Sequence, residues 1–277
     1  MKVILSRKGF DSEYGGYPNP ILPDSRLVSL PIPAKDTIRY YDLKLDESTS
    51  YFDLMKQLRP EIKAGNKWEL LTQNTRCHLD PDIYRDVQLR KAGWKPCFGQ
   101  IDKSQKHLET RVNIGDVFLF FGWFRRTTQV KGKFVFDNRS QNMHVIFGYL
   151  QIGEKITLNS DFKVSDWMKS HPHTSPERKS NPTNTIYVAR ENLSWNKNLP
   201  GAGAFNFHDA LVLTKKGFSR SRWDLPLFFK EADISYHSKN SWKDGYFQSA
   251  ARGQEFVVKE NNNVELWAMR LIDDYAR

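Results

Sequence analysis

Residues 116–124, Asp-Val-Phe-Leu-Phe-Phe-Gly-Trp-Phe, form the most apolar run of the chain, and they restrict its fold more than any other segment. With large apolar side chains at both odd and even positions, the run has no face to give to water. It reads as a central strand of a sheet buried on both sides. Shorter apolar runs join it as further strands: Val3-Ile4-Leu5, Leu27 to Leu30, Val135-Phe136, residues 144–151, Ile186-Tyr187-Val188 and Ala210 to Leu213. Helical spacing appears at Tyr51, Leu54, Met55 and Leu58, and again from Val264 to Ile272. A short helix is expected near Val164 to Met168, and another after Asp80-Pro81, where a capping residue precedes proline. The expected class is α+β: a single domain over residues 1–277, with a mixed central sheet, flanking helices and long functional loops.

The chain has 277 residues, of which 39% are hydrophobic and 13% aromatic, enough for a sizeable core and too apolar for disorder. Forty-two Lys and Arg against 32 Asp and Glu leave a net charge of +10, a field that draws polyanions. A basic surface kept for solubility is the plainer alternative. Two cysteines, Cys77 and Cys97, make no disulfide framework and no zinc-finger spacing. The amino terminus has only three consecutive apolar residues, and no later run approaches a membrane span. A cytoplasmic protein with reduced thiols is the expectation.

Four stretches carry residues suited to chemistry. After the first strand, Arg7, Lys8, Asp11 and Ser12 precede Gly15 and Gly16, placing two cations and a carboxylate beside unusually free backbone. Asp11 is then a general base or the partner of a developing cation; a turn-capping role is the competing reading. His78, Asp80 and Asp82 stand close enough to invite a metal, but neighbours in sequence rarely converge, and a capping Asp80 is preferred. Gln100, following glycine, could read a base edge. Phe121, Trp123, Arg125 and Arg126 suit stacking on an extruded base at a strand edge, against a core role for the aromatics. His144 and Gln151 flank the next strand, with core satisfaction favoured for Gln151. The proline-rich loop of residues 171–184 offers His171 and His173 and is expected to be exposed; Arg220, Arg222 and Trp223 add cations beside an aromatic further on.

Residues 4–33, from Ile4-Leu5-Ser6-Arg7-Lys8-Gly9-Phe10-Asp11 to Leu30-Pro31-Ile32-Pro33, resemble the opening of the third nucleotide-modification-associated domain family, a bacterial and phage-linked group. Asp80-Pro81, Phe98-Gly99-Gln100, the segment from Gly115 to Gly122, His144-Val145-Ile146 with Gly148 and Gln151, His171-Pro172-His173 and Gly253-Gln254-Glu255-Phe256 fit the same pattern. The resemblance implies a place in DNA base modification, with a phage-defence glycosylase acting on glucosylated 5-hydroxymethylcytosine as a compatible role. For such a reaction Asp11 is expected to meet the sugar cation or activate water. Gln100, with His144 or His171, is expected at the leaving base. Phe121, Trp123, Arg7, Lys8, Arg125, Arg126, His173, Arg220 and Arg222 are expected to hold the nucleotide with Ser12, Gly15 and Gly16. Neither a metal nor a cofactor is expected. A base- or nucleotide-modifying transferase and a non-catalytic reader of modified DNA are the alternatives.

Overall fold

A computed structural model describes residues 1–251 and 253–277. Nine strands make the main sheet: β1 (Val3–Arg7), β2 (Asn19–Ile21), β3 (Cys97–Gln100), β4 (Val117–Val130) and β5 (Lys133–Phe136). They continue as β6 (Met143–Thr157), β7 (Thr185–Ala189), β8 (Ala202–Ala204) and β9 (Glu255–Val258). The helices are α1 (Tyr51–Leu58), α2 (Asp102–Glu109), α3 (Pro176–Lys179) and α4 (Asn262–Tyr275). The chain is thus of the α+β class. No helix among the described residues is long and apolar enough to cross a membrane.

The main path runs β9-β1-β4-β6-β7-β3, with β2 and β5 on β4 and β8 on β6. β1 and β2 lie parallel to β4, and the other pairings are antiparallel, so the sheet is mixed. The apolar run is its central strand, and Val117 to Phe121 are wholly buried. β4 then continues through a tight turn at Lys131 and Gly132 into β5, both turn residues having positive φ.

The sheet is strongly curled. A flat sheet would hold β3 and β4 about 14 Å apart, three strand spacings. Instead the Phe98 ring on β3 lies 5.1 Å from Phe118 and 5.4 Å from Phe120, both on β4. Tyr187 stacks on Phe98 from β7, so aromatic rings fill the concave side. The end strands meet there: Gln100 of β3 hydrogen-bonds to Glu255 of β9. Helix α2 packs on this seam, where Gln105 accepts the Tyr187 hydroxyl proton. Strand alternation then sorts the remaining side chains. Ile4, Ser6, Phe118 and Phe120 face inward, while Leu5, Arg7, Leu119 and Phe121 face the convex side. There Phe121 meets Trp223, His144 and Phe256.

A second core lies outside the curl, built on Phe10, Tyr17, Tyr40, Leu54 and Met55. Helix α1 enters it under a reciprocal cap. Ser50 Oγ accepts the Asp53 N–H, and the Asp53 carboxylate accepts the Ser50 N–H.

Several local expectations are corrected. No helix follows Asp80-Pro81; the chain bends there and makes a single 3₁₀ turn at Arg85–Val87. Leu27 to Leu30 make only isolated bridges, and Ala210 to Leu213 begin in a 3₁₀ turn. Residues 166–168 are likewise a 3₁₀ turn. The proline-rich loop is not simply exposed, since Pro172, Thr174 and both of its histidines are buried.

Candidate functional site

β1 ends by sending successive side chains to opposite faces, and this alternation builds the site. Lys8 goes inward, where its ammonium lies 2.6 Å from Glu255 Oε1 and 4.5 Å from the centre of the Phe98 ring. Gln100 Nε2 donates to the same oxygen at 2.9 Å, and its own Oε1 accepts the Ile101 N–H. The second Glu255 oxygen and the neighbouring Ser6 hydroxyl are buried without a hydrogen-bond partner among the described residues. Arg7 goes outward and donates to the carbonyls of Ala250 and Ala251. Burial lowers its pKa and the positive field of Arg220 adds to that, while Asp11 and Glu255 oppose them.

Asp11 sits just beyond the strand. Its Oδ1 accepts the N–H groups of Glu13 and Tyr14, so it caps a turn. Its Oδ2 makes no hydrogen bond among the described residues, and its charge acts on both Arg7 and Arg220. Arg220 stacks on Trp123, its guanidinium carbon 4.0 Å from the ring centre. One half-exposed carboxylate, two partly desolvated arginines and a half-buried indole therefore share the rim beyond β1, above the buried Lys8–Glu255–Gln100 group.

The other expected site residues lie elsewhere. Phe121 is fully buried against Trp223, so its ring faces no ligand space. His144 is also buried, with Nδ1 accepting the Trp223 indole N–H. Burial, then the fields of Arg7 and Arg220, hold it well below its ordinary pKa, and a neutral imidazole of that kind cannot protonate a leaving base. Gly15 and Gly16 belong to the Asp11 turn, where the Gly16 N–H donates to the Asp11 carbonyl and Gly15 pairs with Lys63. Both have positive φ, and a Cβ on Gly15 would fall 2.0 Å from the Phe10 ring and one on Gly16 2.4 Å from Trp68. Ser12 is exposed and its carbonyl accepts from Lys63. Arg125 donates to the Asp137 carbonyl, Arg126 covers Phe207, and Arg222 lies over Tyr246.

His171 and His173 lie on the opposite face of β3 with two residues distant in sequence. His78 Nε2 and His173 Nε2 are each 3.7 Å from Asp80 Oδ2, and His171 Nε2 is 3.4 Å from Asp80 Oδ1. The Gly99 N–H donates to Oδ1 at 2.9 Å. His78 Nδ1 is 2.7 Å from Asp36, itself paired with Arg178, and His173 Nδ1 is 2.7 Å from Asn184. Burial alone would raise the Asp80 carboxyl, but the facing imidazoles of His171 and His78 hold it well below the usual range. Burial pushes His173 down to about 3. Among the described residues, His78, Asp80 and His173 are a group able to hold a metal ion. The expected capping role of Asp80 is not found, because no helix starts there.

One feature had no signal in any motif. A cleft of about 1030 Å³ opens between the two cores, lined by Arg26, Lys44, Arg85, Lys95, Arg190 and Arg277 with Tyr84 and Trp94, against acidic Asp86 and Glu191. Its residues come from eight separated stretches of chain, so no local pattern announces it. Glu255 was visible only as part of Gly253-Gln254-Glu255-Phe256, and its two partners lie 155 and 247 residues away.

A mixed, curled sheet with a charged rim at the end of β1 defines an α+β protein in which the residues carrying the family resemblance converge. The model of the family described as nucleotide modification associated domain 3 matches residues 2–259, and the chain belongs to that family. No curated protein and no solved structure matches it.

Proposed function

We propose that the chain is a DNA glycosylase that hydrolyses the N-glycosidic bond of a modified base, such as glucosylated 5-hydroxymethylcytosine in phage DNA, and so acts in anti-phage defence. The observation that supports this reading is that the charge of Asp11 acts on both Arg7 and Arg220, the second of which stacks on Trp123. Water adds to the sugar C1′ as the bond to the base breaks, and the bonding pair leaves with the base. Positive charge then builds on the sugar and negative charge on the base. Asp11 Oδ2 meets the first and takes the proton of the attacking water. Arg7 and Arg220 meet the second, in place of the buried His144. Trp123 supports the extruded nucleotide, whose unstacking costs a few kcal/mol. The net charge of +10 supplies general attraction to DNA.

Incubation with DNA bearing glucosylated bases should release free base and leave abasic sites. Asp11→Asn should abolish turnover while DNA binding stays within a few-fold, because asparagine can still accept the Glu13 and Tyr14 N–H groups and keep the turn. Undiminished turnover by Asp11→Asn would sink the assignment.

A second reading is favoured by the basic cleft. Six cations and three aromatic side chains around 1030 Å³ suit the phosphates and base of a nucleotide donor, as a transferase would need. Mass gain on DNA with a nucleotide-sugar present, in place of base loss, distinguishes the two.

A further inference from the structure

We propose that His78, Asp80 and His173 bind one divalent transition-metal ion of the zinc class, through His78 Nε2, His173 Nε2 and Asp80 Oδ2. The argument begins with the protons. Asn184 donates its amide to the carbonyls of His173 and Arg178, which turns its oxygen toward His173 Nδ1. His78 Nδ1 faces the Asp36 carboxylate. Both Nδ1 atoms therefore carry hydrogen; His173 Nε2 presents a lone pair, and His78 Nε2, which Asp36 and Asp80 keep protonated against the effect of burial, becomes a ligand by releasing that proton as the ion binds.

The His173 lone pair faces a carboxylate oxygen, acceptor against acceptor. The 3.7 Å gaps are too long for hydrogen bonds. They match the edge of a coordination tetrahedron, where ligands about 2.1 Å from an ion stand about 3.4 Å apart. All three ligand atoms lie within 4.8 Å of one another.

A fourth residue points to the same centre. His171 Nδ1 accepts the His173 N–H, so its proton sits on Nε2, aimed at Asp80 Oδ1. That Nε2 is buried without a hydrogen-bond partner among the described residues, and the residue is 4% exposed. The Gly99 N–H fixes Oδ1 and leaves Oδ2 for the ion. Carboxylate and amide groups behind two imidazoles are the outer partners that orient metal-binding histidines. Two nitrogen donors favour zinc or cobalt over magnesium or calcium. The ion would pin the segment around Asp80 and the turn Pro172–Thr174 to the outer face of β3. Water would fill its fourth position.

The test uses the full chain, freed of metal by dialysis against a chelator. Added Zn²⁺ should bind at one equivalent and raise Tm by roughly 5–10 °C at a hundredfold excess over Kd. Co²⁺ should give the visible bands of a tetrahedral site, and Mg²⁺ should not bind. His173→Gln should lose the ion while keeping its far-UV circular dichroism. Asp36→Asn should keep one equivalent and weaken binding 10–100-fold. A folded wild-type chain that takes up neither ion, or equal uptake by wild type and His173→Gln, overturns the proposal. If His173→Gln fails to fold, the cobalt spectrum of the wild type and the Asp36→Asn affinity decide it, and normal affinity in Asp36→Asn would count against it.

Discussion

On the inner face of β3, Lys8 and Gln100 reach one oxygen of Glu255 at 2.6 and 2.9 Å. On the outer face, across Gly99, two imidazoles stop 3.7 Å short of Asp80 Oδ2. Both groups enclose a carboxylate whose charge must be balanced where little water reaches. Inside, the chain supplies the balancing ammonium itself. Outside, His173 has committed its proton to Asn184, and the gap has the dimensions of an ion. Direct contact marks a group that its own chain completes; ligand atoms set around a gap mark one that something else completes.

The largest test strikes the inner group. Lys8→Ala leaves Glu255, 1% exposed, as an unpaired buried charge. It should cost about 3–5 kcal/mol in urea denaturation. A loss below about 1 kcal/mol would mean that Glu255 is protonated or hydrated, and the contrast between the faces would fail.

Gly99→Ala strikes the outer group through the strand that separates the two. Its Cβ would fall 2.4 Å from the His173 ring and touch nothing on the inner side. Overpacking of this kind costs up to about 3 kcal/mol. Zinc affinity should fall at least about tenfold with it, since the ring it displaces carries a ligand atom. Unchanged zinc binding in calorimetry would place the ion elsewhere.

His144 shows a third arrangement, a buried imidazole that accepts the Trp223 N–H and faces no carboxylate. Its pKa lies well below the ordinary value, through burial first and then Arg7 and Arg220. The unfolded chain takes up this proton below about pH 6.5, and the folded chain does not. Its stabilising effect is complete above that pH and is lost as pH falls toward the folded value. Stability should therefore fall between pH 7 and pH 5, and His144→Gln should remove that part of the difference. An unaltered pH profile in His144→Gln would show the imidazole protonated in the folded state.

How much of this was legible before folding follows from the range of each signal. The run around Phe118 to Phe121 announced the central strand because burial on both sides is written into consecutive residues. The spacing of Tyr51, Leu54, Met55 and Leu58 announced α1 in the same way. The outer group was discounted because His78 and Asp80 are neighbours in sequence, and neighbours at a helix start diverge. No helix starts at Asp80, and His173 arrives from 93 residues further on. Arg7, Lys8, Asp11, Gln100, Trp123 and Arg220 were each singled out on local chemistry. That Arg7 and Lys8 would part to opposite faces follows from strand alternation alone, once β1 is known to reach Arg7. Glycines mislead differently: Gly15 and Gly16 permit positive φ as expected, but the space they leave is filled by rings.

The smallest effect tests whether the rim is a nucleic-acid surface. Arg220 is half-buried, and its guanidinium lies over Trp123 with no salt bridge among the described residues. A stack of this kind contributes about 0.5–1 kcal/mol to the folded chain. Removing a cation from the rim, Arg220→Ala should weaken DNA binding about two- to fivefold. If the guanidinium contacts a phosphate, the slope of log affinity against log salt should also shrink by about 0.9. Global stability should fall by no more than about 1 kcal/mol, the contribution of the stack. The same substitution leaves both groups at β3 untouched, so zinc uptake should not change. A drop in zinc uptake or a multi-kcal/mol loss of stability would tie Arg220 to the fold, and unchanged DNA affinity would move the binding surface to the cleft lined by Arg85 and Arg190.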